Sequence, residues 1–99
     1  MIQQGDILKI EKIKAPVFVA SKNFFNQSGE IIGCPMASES EQSPLHIYVE
    51  TEDQKGYIIL CEQMKMLDLR VRGFKKIDRV KIADVINVTD AIQSIFDYI

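Results

Sequence analysis

This chain has no tryptophan, one histidine, two cysteines and three prolines among its 99 residues. The cysteines, Cys34 and Cys61, are too few for a disulfide scaffold and lack the spacing of a zinc knuckle, so both are expected to be free thiols in the core. His46 cannot form a metal cluster alone. On the alternating segment Leu45 to Glu50 it is expected to face solvent or to pack as a neutral ring rather than to act as a base. No glycine-rich nucleotide loop or paired cysteine motif is present, so no cofactor and no metal is expected. No apolar run approaches the length of a bilayer span, and Met1 to Asp6 lacks a basic region followed by an apolar stretch. A cytoplasmic protein with no membrane partner is expected. Disorder is excluded by an apolar fraction of 46% with 26% charged residues. The length suits a single domain, residues 1–99, around one hydrophobic core.

Charge is unevenly placed. Glu39 to Asp53 holds five carboxylates and no lysine or arginine, whereas Glu62 to Lys81 holds seven cations and three carboxylates. The net charge of -2 hides this asymmetry. A local positive surface attracts a phosphate-bearing strand even on a mildly acidic protein; the same cations, spread over turns and strand edges, also serve solubility.

Most of the chain reads as strand. Ile7 to Ile10 is a short first strand, and the continuous apolar run Pro16 to Ala20 a buried second one that the proline can open but not occupy centrally. Asn23 to Gly29 reads as a helical turn or loop with aromatic anchors, Phe24 and Phe25: one for the core and one for a dimer contact. Ile31 to Met36 is a strand bent or ended near Pro35, and Ala37 to Pro44 a loop. Leu45–Glu50 and Gly56–Cys61 bracket a hairpin connection at Thr51–Lys55. Val85, Val88, Ile92, Ile95, Phe96 and Ile99 then recur at three- and four-residue intervals, predicting a helix from about Ile82 to Tyr98. In an alternative, Thr89 and Asp90 cap a shorter helix and Val85 to Val88 is a strand. Tyr48, Tyr57 and Tyr98 are expected to pack with polar tips.

Gly5-Asp6-Ile7, Pro16-Val17-Phe18-Val19-Ala20-Ser21 followed by Asn23 and Phe24, Cys34-Pro35-Met36-Ala37-Ser38, and Glu62 through Asp68 to Arg70 together resemble the MazF/PemK family of toxin endoribonucleases. The resemblance covers nearly the full chain. It implies a mainly β fold, a small SH3-like antiparallel barrel with a C-terminal helix covering its open side. It also implies a homodimeric toxin of a type II toxin-antitoxin system that cleaves single-stranded RNA without a metal, held in check by a cognate antitoxin whose disordered segment lies across the dimer groove. Cleavage that uses the 2′-hydroxyl of the substrate needs a proton acceptor, a proton donor and groups that stabilise the phosphate as charge develops.

Mapped onto the family pattern, the site residues depart from it. The arginine that active members carry before the proline of the second strand is replaced by Ala15, with Lys14 the nearest cation. The threonine before Ser38 is replaced by Ala37, and a later arginine by Lys65, which keeps the charge but loses the bidentate fork. The connection Glu11 to Lys14 is also shorter than the family's active-site loop. The resemblance therefore implies Lys14 and Ser38 as catalytic candidates, Lys65 and Arg70 as RNA contacts, and Glu62 and Asp68 as acid-base or structural groups, Asp68 ordering Arg70. The ending Asp90 to Ile99 and Pro35 to Ser38 also look somewhat like CcdB. That implies an alternative, a non-catalytic toxin or regulator acting on a protein such as DNA gyrase through Phe96 to Ile99, although the exposed tryptophan of the CcdB ending is missing.

Overall fold

Phe18 is the largest side chain wholly withdrawn from solvent, and the strands on either side of it organise the molecule. The computed structural model describes residues 2–96. It contains strands β1 (Asp6–Ile10), β2 (Val17–Val19), β3 (Glu30–Ala37), β4 (His46–Glu50), β5 (Gly56–Leu60), β6 (Lys65–Asp68) and β7 (Phe74–Arg79), with the one-turn helix α1 (Asn23–Asn26), a 3-10 turn at Cys61–Gln63 and the C-terminal helix α2 (Ile82–Phe96). All strand pairs are antiparallel, in the order β4-β5-β3-β2-β1-β7, with β6 paired to β3 off this path. The expected mainly β fold with a C-terminal helix is present, but the sheet is not closed: among the described residues its ends meet only at the bridge Thr51–Val80.

Both faces of the central strands are buried, which is why Val17-Phe18-Val19 is apolar without alternation. Ile7, Phe18, Cys34 and Met36 face one core with Val49, Ile59, Val80, Val85 and Val88. Leu8, Ile10, Val17, Val19, Ile31 and Leu67 face the other. The sheet thus builds two apolar clusters where the length alone suggested one core.

Pro35 does not end its strand; β3 runs on to Ala37. Ala20 N–H donates to Ile32 O and Met36 N–H to Pro16 O, so residues 32 and 36 occupy hydrogen-bonded positions on the β2 side. The alternation turns residue 35 to the opposite edge. There β3 changes neighbour from β6, which ends opposite Gly33, to β5, which begins opposite Met36. The missing N–H of Pro35 falls at this handover, where no ladder bond is required.

Helix α2 contains Val85 and Val88 as buried helical residues, which excludes the alternative strand. Thr89 Oγ1 donates to Ile86 O within the helix instead of capping a new one. The apolar stripe docks on β4 and the 3-10 turn, but only in part: Phe96 is 70% exposed. Ile99 and the expected helix end at Tyr98 lie outside the described residues. No described helix is long and apolar enough to cross a membrane.

Asp6 ties the first and last strands together. Its carboxylate is fully buried and accepts from Gln3 N–H at 2.8 Å, Arg79 Nη1 at 2.6 Å and Lys76 Nζ at 3.1 Å.

Candidate nucleic-acid groove

Seven cations lie between Glu62 and Lys81, and the fold sorts them by partner. Arg70 forms a fork on Asp68, with Nε to Oδ1 and Nη2 to Oδ2 both at 3.0 Å. Lys76 and Arg79 converge on Asp6, and Lys81 pairs with Glu50. Among the described residues Lys65, Arg72 and Lys75 have no carboxylate partner. Two of these three, Lys65 and Arg72, line the same groove, a depression of about 350 Å³.

The floor of this groove is apolar, formed by Ile13, Val17, Gly33, Pro35 and Leu67, and Gln63 joins the two cations at its rim. Lys65 stands opposite Gly33 in the β3–β6 register, and Gly33 stands opposite Val19 on β2. A Cβ at Gly33 would lie 2.4 Å from Val17 Cγ1. The absence of a side chain there lets Val17 spread across the strand and leaves room in the groove that Lys65 also lines. Arg72 enters from the turn between β6 and β7, and Ile13 from the short β1–β2 connection. That connection is fastened by Lys9, whose Nζ donates to the carbonyls of Ile13 at 3.3 Å and Lys14 at 2.7 Å. Two unneutralised cations over an apolar surface attract an anion more strongly than the same charges in open solvent.

The candidate residues divide accordingly. Lys65 is in the groove. Lys14 follows Ile13 of its wall, with an exposed side chain, and Ser38 is exposed just past the end of β3. The β2–β3 register carried outward from Val17–Pro35 brings Ala15 towards Ala37 and Lys14 towards Ser38, at the same end of the sheet. Arg70 does not line the groove: besides its fork on Asp68, its side chain lies over Gly29, where a Cβ would come within 2.6 Å of Arg70 Cγ. Gly29 has φ of +94°, so two independent constraints keep a side chain from this position. Asp68 is held below the ordinary carboxylate range chiefly by the side-chain hydrogen bond from Arg70.

Glu62 is engaged by His46, whose Nε2 lies 3.0 Å from Glu62 Oε2 while Nδ1 lies 2.7 Å from Glu41 O. The histidine is therefore neither solvent-facing nor packed as a neutral ring. Both neighbours are acceptors, and only the imidazolium can donate to both. The hydrogen bond to Glu62, and then that to the Glu41 carbonyl, raises the His46 pKa above its ordinary 6.5. The same contact lowers Glu62 below 4.5. The Glu62 contribution to stability is present above pH 4.5 and disappears as pH falls through its lowered folded value; the His46 contribution is complete below pH 6.5 and disappears as pH rises through its raised one. The pair is fully formed between these limits. An NMR titration of the His46 ring is expected to give a value above 6.5 that falls back in Glu62→Gln; a value at or below 6.5 in the wild type would show that the pair does not form in solution.

The cysteines offer no nucleophile. Burial pushes the Cys34 thiol up to about 12 and the Cys61 thiol up to about 11, so both stay protonated at neutral pH.

Sequence reasoning missed Arg72 and Gln63 as groove residues. A signal for Arg72 was available: Arg70 has Asp68 two positions before it, whereas no acid lies between Arg72 and Asp78.

Comparison with known proteins agrees with this architecture. The family model of the PemK-like, MazF-like toxin of type II toxin-antitoxin systems matches residues 4–96. No curated protein sequence matches. Among solved structures, MazF in a MazE–MazF complex from Deinococcus radiodurans superposes with a TM-score of 0.84 at 18% identity, covering 96% of this chain and 95% of that one. An endoribonuclease in complex with its cognate antitoxin from a mycobacterial species gives 0.81 at 13% identity, covering 97% and 95%. The Mycobacterium tuberculosis toxin MazF-mt6 gives 0.73 at 12% identity, covering 95% and 99%. At these identities the structures establish the fold, and the family model establishes the family.

Proposed function

Because the chain belongs to the PemK-like, MazF-like toxin family of type II toxin-antitoxin systems, we propose that it is a metal-independent endoribonuclease toxin whose substrate is single-stranded RNA in the cytoplasm. The observation that carries this reading is the groove with two unpaired cations over an apolar floor. Phosphate oxygens match the cations, and the floor matches the faces of unstacked bases, which single strands expose and duplexes hide.

In the reaction, the 2′-oxygen attacks the adjacent phosphorus, the bond to the 5′-oxygen breaks, and the products are a 2′,3′-cyclic phosphate and a 5′-hydroxyl. The 2′-hydroxyl proton leaves to a base, and the departing 5′-oxygen gains a proton. Lys65 stabilises the charge that accumulates on the phosphate, and Lys14 and Ser38 approach it from the β2–β3 end to assist and orient it. Arg70 reaches substrate only by leaving Asp68, and Glu62 acts as acid or base only by leaving His46. Gln63 Nε2 lies 3.4 Å from Glu62 Oε2, which connects that pair to the groove rim.

The working form is a homodimer. Phe24 is 75% exposed and Ile82 69%, and these two large apolar side chains line one depression beside α2, among the polar residues Gln3, Gln4, Lys22 and Asn23, a mixed surface suited to a second copy. The cognate antitoxin blocks the RNA site across that dimer. Two of the superposed relatives were solved as complexes, one of MazE with MazF and one of an endoribonuclease with its cognate antitoxin.

Cleavage of a diverse single-stranded RNA pool in chelator, with cut sites mapped, tests the assignment. Wild type is expected to cut at a short recurrent sequence. Lys65→Ala is expected to slow cutting by about 100-fold, the scale for loss of one donor to a developing oxyanion, and Lys14→Ala/Ser38→Ala also to lose rate. No cleavage by folded, antitoxin-free protein would remove the nuclease reading and favour a protein target such as DNA gyrase.

A further inference from the structure

The chain has three arginines, Arg70, Arg72 and Arg79. Arg70 is committed to Asp68 and Arg79 to Asp6, each through nitrogen–oxygen contacts of 3.0 Å or less. Arg72 alone has no carboxylate partner among the described residues, and it alone of the three lines the groove. The nearby carboxylate of Glu11 faces Gly73, 3.0 Å from where a Cβ would stand, and forms no ion pair with Arg72. A guanidinium presents paired N–H groups in a fixed plane that matches two oxygens of one phosphate; an ammonium offers a single point charge. Position 15, which borders the same end of the sheet, carries only the methyl group of Ala15. Nothing else on the groove supplies a planar fork.

We propose that Arg72 is the bidentate phosphate ligand of this groove, gripping an RNA phosphate from the β6–β7 turn while Lys65 meets the strand from β6. Arg72 is thus a positioning residue that sets the register of the strand, and Arg70, two residues away, is not an RNA contact. This assignment rests on the RNA-cleaving reading above and adds to it the group that holds the substrate. It accounts for the division of labour within one short segment: Asp68 removes Arg70 from competition, and the turn delivers the free guanidinium to the cavity.

The test is fluorescence anisotropy with a labelled, uncleavable 2′-O-methyl single-stranded RNA, titrated at several salt concentrations. Arg72→Ala is expected to weaken binding by about tenfold at fixed salt, equivalent to roughly 1.4 kcal/mol, and to reduce the salt slope by about 0.7, the value for one phosphate contact on a single strand. Arg72→Lys should restore the slope but only part of the affinity, because charge returns without the fork. Lys75→Ala, at a cation outside the groove, should bind within about twofold of wild type, and Arg70→Ala should lose less affinity than Arg72→Ala. Circular dichroism melts of each variant separate binding losses from unfolding. If Arg72→Ala binds like wild type while Lys65→Ala is weakened, the assignment of Arg72 is wrong and the RNA groove stands. A larger loss in Arg70→Ala than in Arg72→Ala also overturns it. If wild type neither binds this probe nor cleaves the unmodified pool, both readings fall.

Discussion

Asp6→Asn is expected to lower the unfolding free energy by about 3 kcal/mol, the scale for breaking a buried ion pair from one side. The amide keeps the shape and can still accept from Gln3 N–H, so packing changes little. What disappears is the charge that neutralises two cations. Lys76 is about half-exposed and can turn into water, but the Arg79 side chain is only 27% exposed. The cost therefore concentrates on Arg79, left partly desolvated without its anion. At roughly 4–8 °C per kcal/mol for a domain of this size, the melting temperature should fall by about 15 °C. Urea unfolding of wild type, Asp6→Asn, Arg79→Met and the double variant checks the origin of the loss. The double variant should recover part of the stability that Asp6→Asn loses, because it removes the stranded cation. Wild-type stability in Asp6→Asn would mean that Arg79 is hydrated in the folded protein.

Gly33→Val is expected to lower RNA cleavage by about 100-fold or more while costing about 2 kcal/mol of stability. The stability loss is overpacking: the new Cβ is placed 2.4 Å from Val17 Cγ1, and Leu67 Cδ1 lies at 3.6 Å, so Val17 must leave its position in a close-packed cluster. The functional loss has a separate cause. The added methyl groups rise from the groove floor opposite Lys65, lifting the strand away from both cations, and a displacement of about 1 Å in a reacting geometry is enough for a 100-fold loss. Cleavage rates measured well below the melting transition distinguish the two effects. A variant that is folded and cuts at the wild-type rate would show that RNA does not occupy this groove.

Several elements were legible because short-range pattern and tertiary role coincide. Val17-Phe18-Val19 is apolar throughout because both faces of β2 are covered, one residue going to each core in turn. Val85 and Val88 reveal α2 because only a helix puts that spacing on one face. The hairpin at Thr51 to Lys55 has the polar composition that a reversal between two apolar strands requires, and Gln54 takes its positive φ there. Strand β7 was hidden for the opposite reason. Four of its six residues are exposed, so neither face leaves an apolar period, and it exists because β1 offers it a ladder. Pro35 misled because its permissibility depends on where β3 exchanges one neighbour for another. His46 misled because the carbonyl and carboxylate that hold its two nitrogens come from Glu41 and Glu62, one of them across the fold.

By itself the sequence determined the chemical inventory: three arginines, one histidine, no clustered thiols, a basic stretch after residue 61, and a run of strands closed by an amphipathic helix. Those properties are local, since they depend on side-chain type and spacing along the chain. It also carried enough family pattern to indicate a toxin of the MazF and PemK kind. Only the tertiary structure decided which cations are free. Arg79 and Lys76 are neutralised by an aspartate at least 70 residues away, and Lys81 by Glu50 on β4, whereas Arg72 and Lys65 meet over a floor that five residues from four separate segments assemble. A charge acts on a ligand only after its own neighbours have been counted, and folding brings those neighbours from distant parts of the chain.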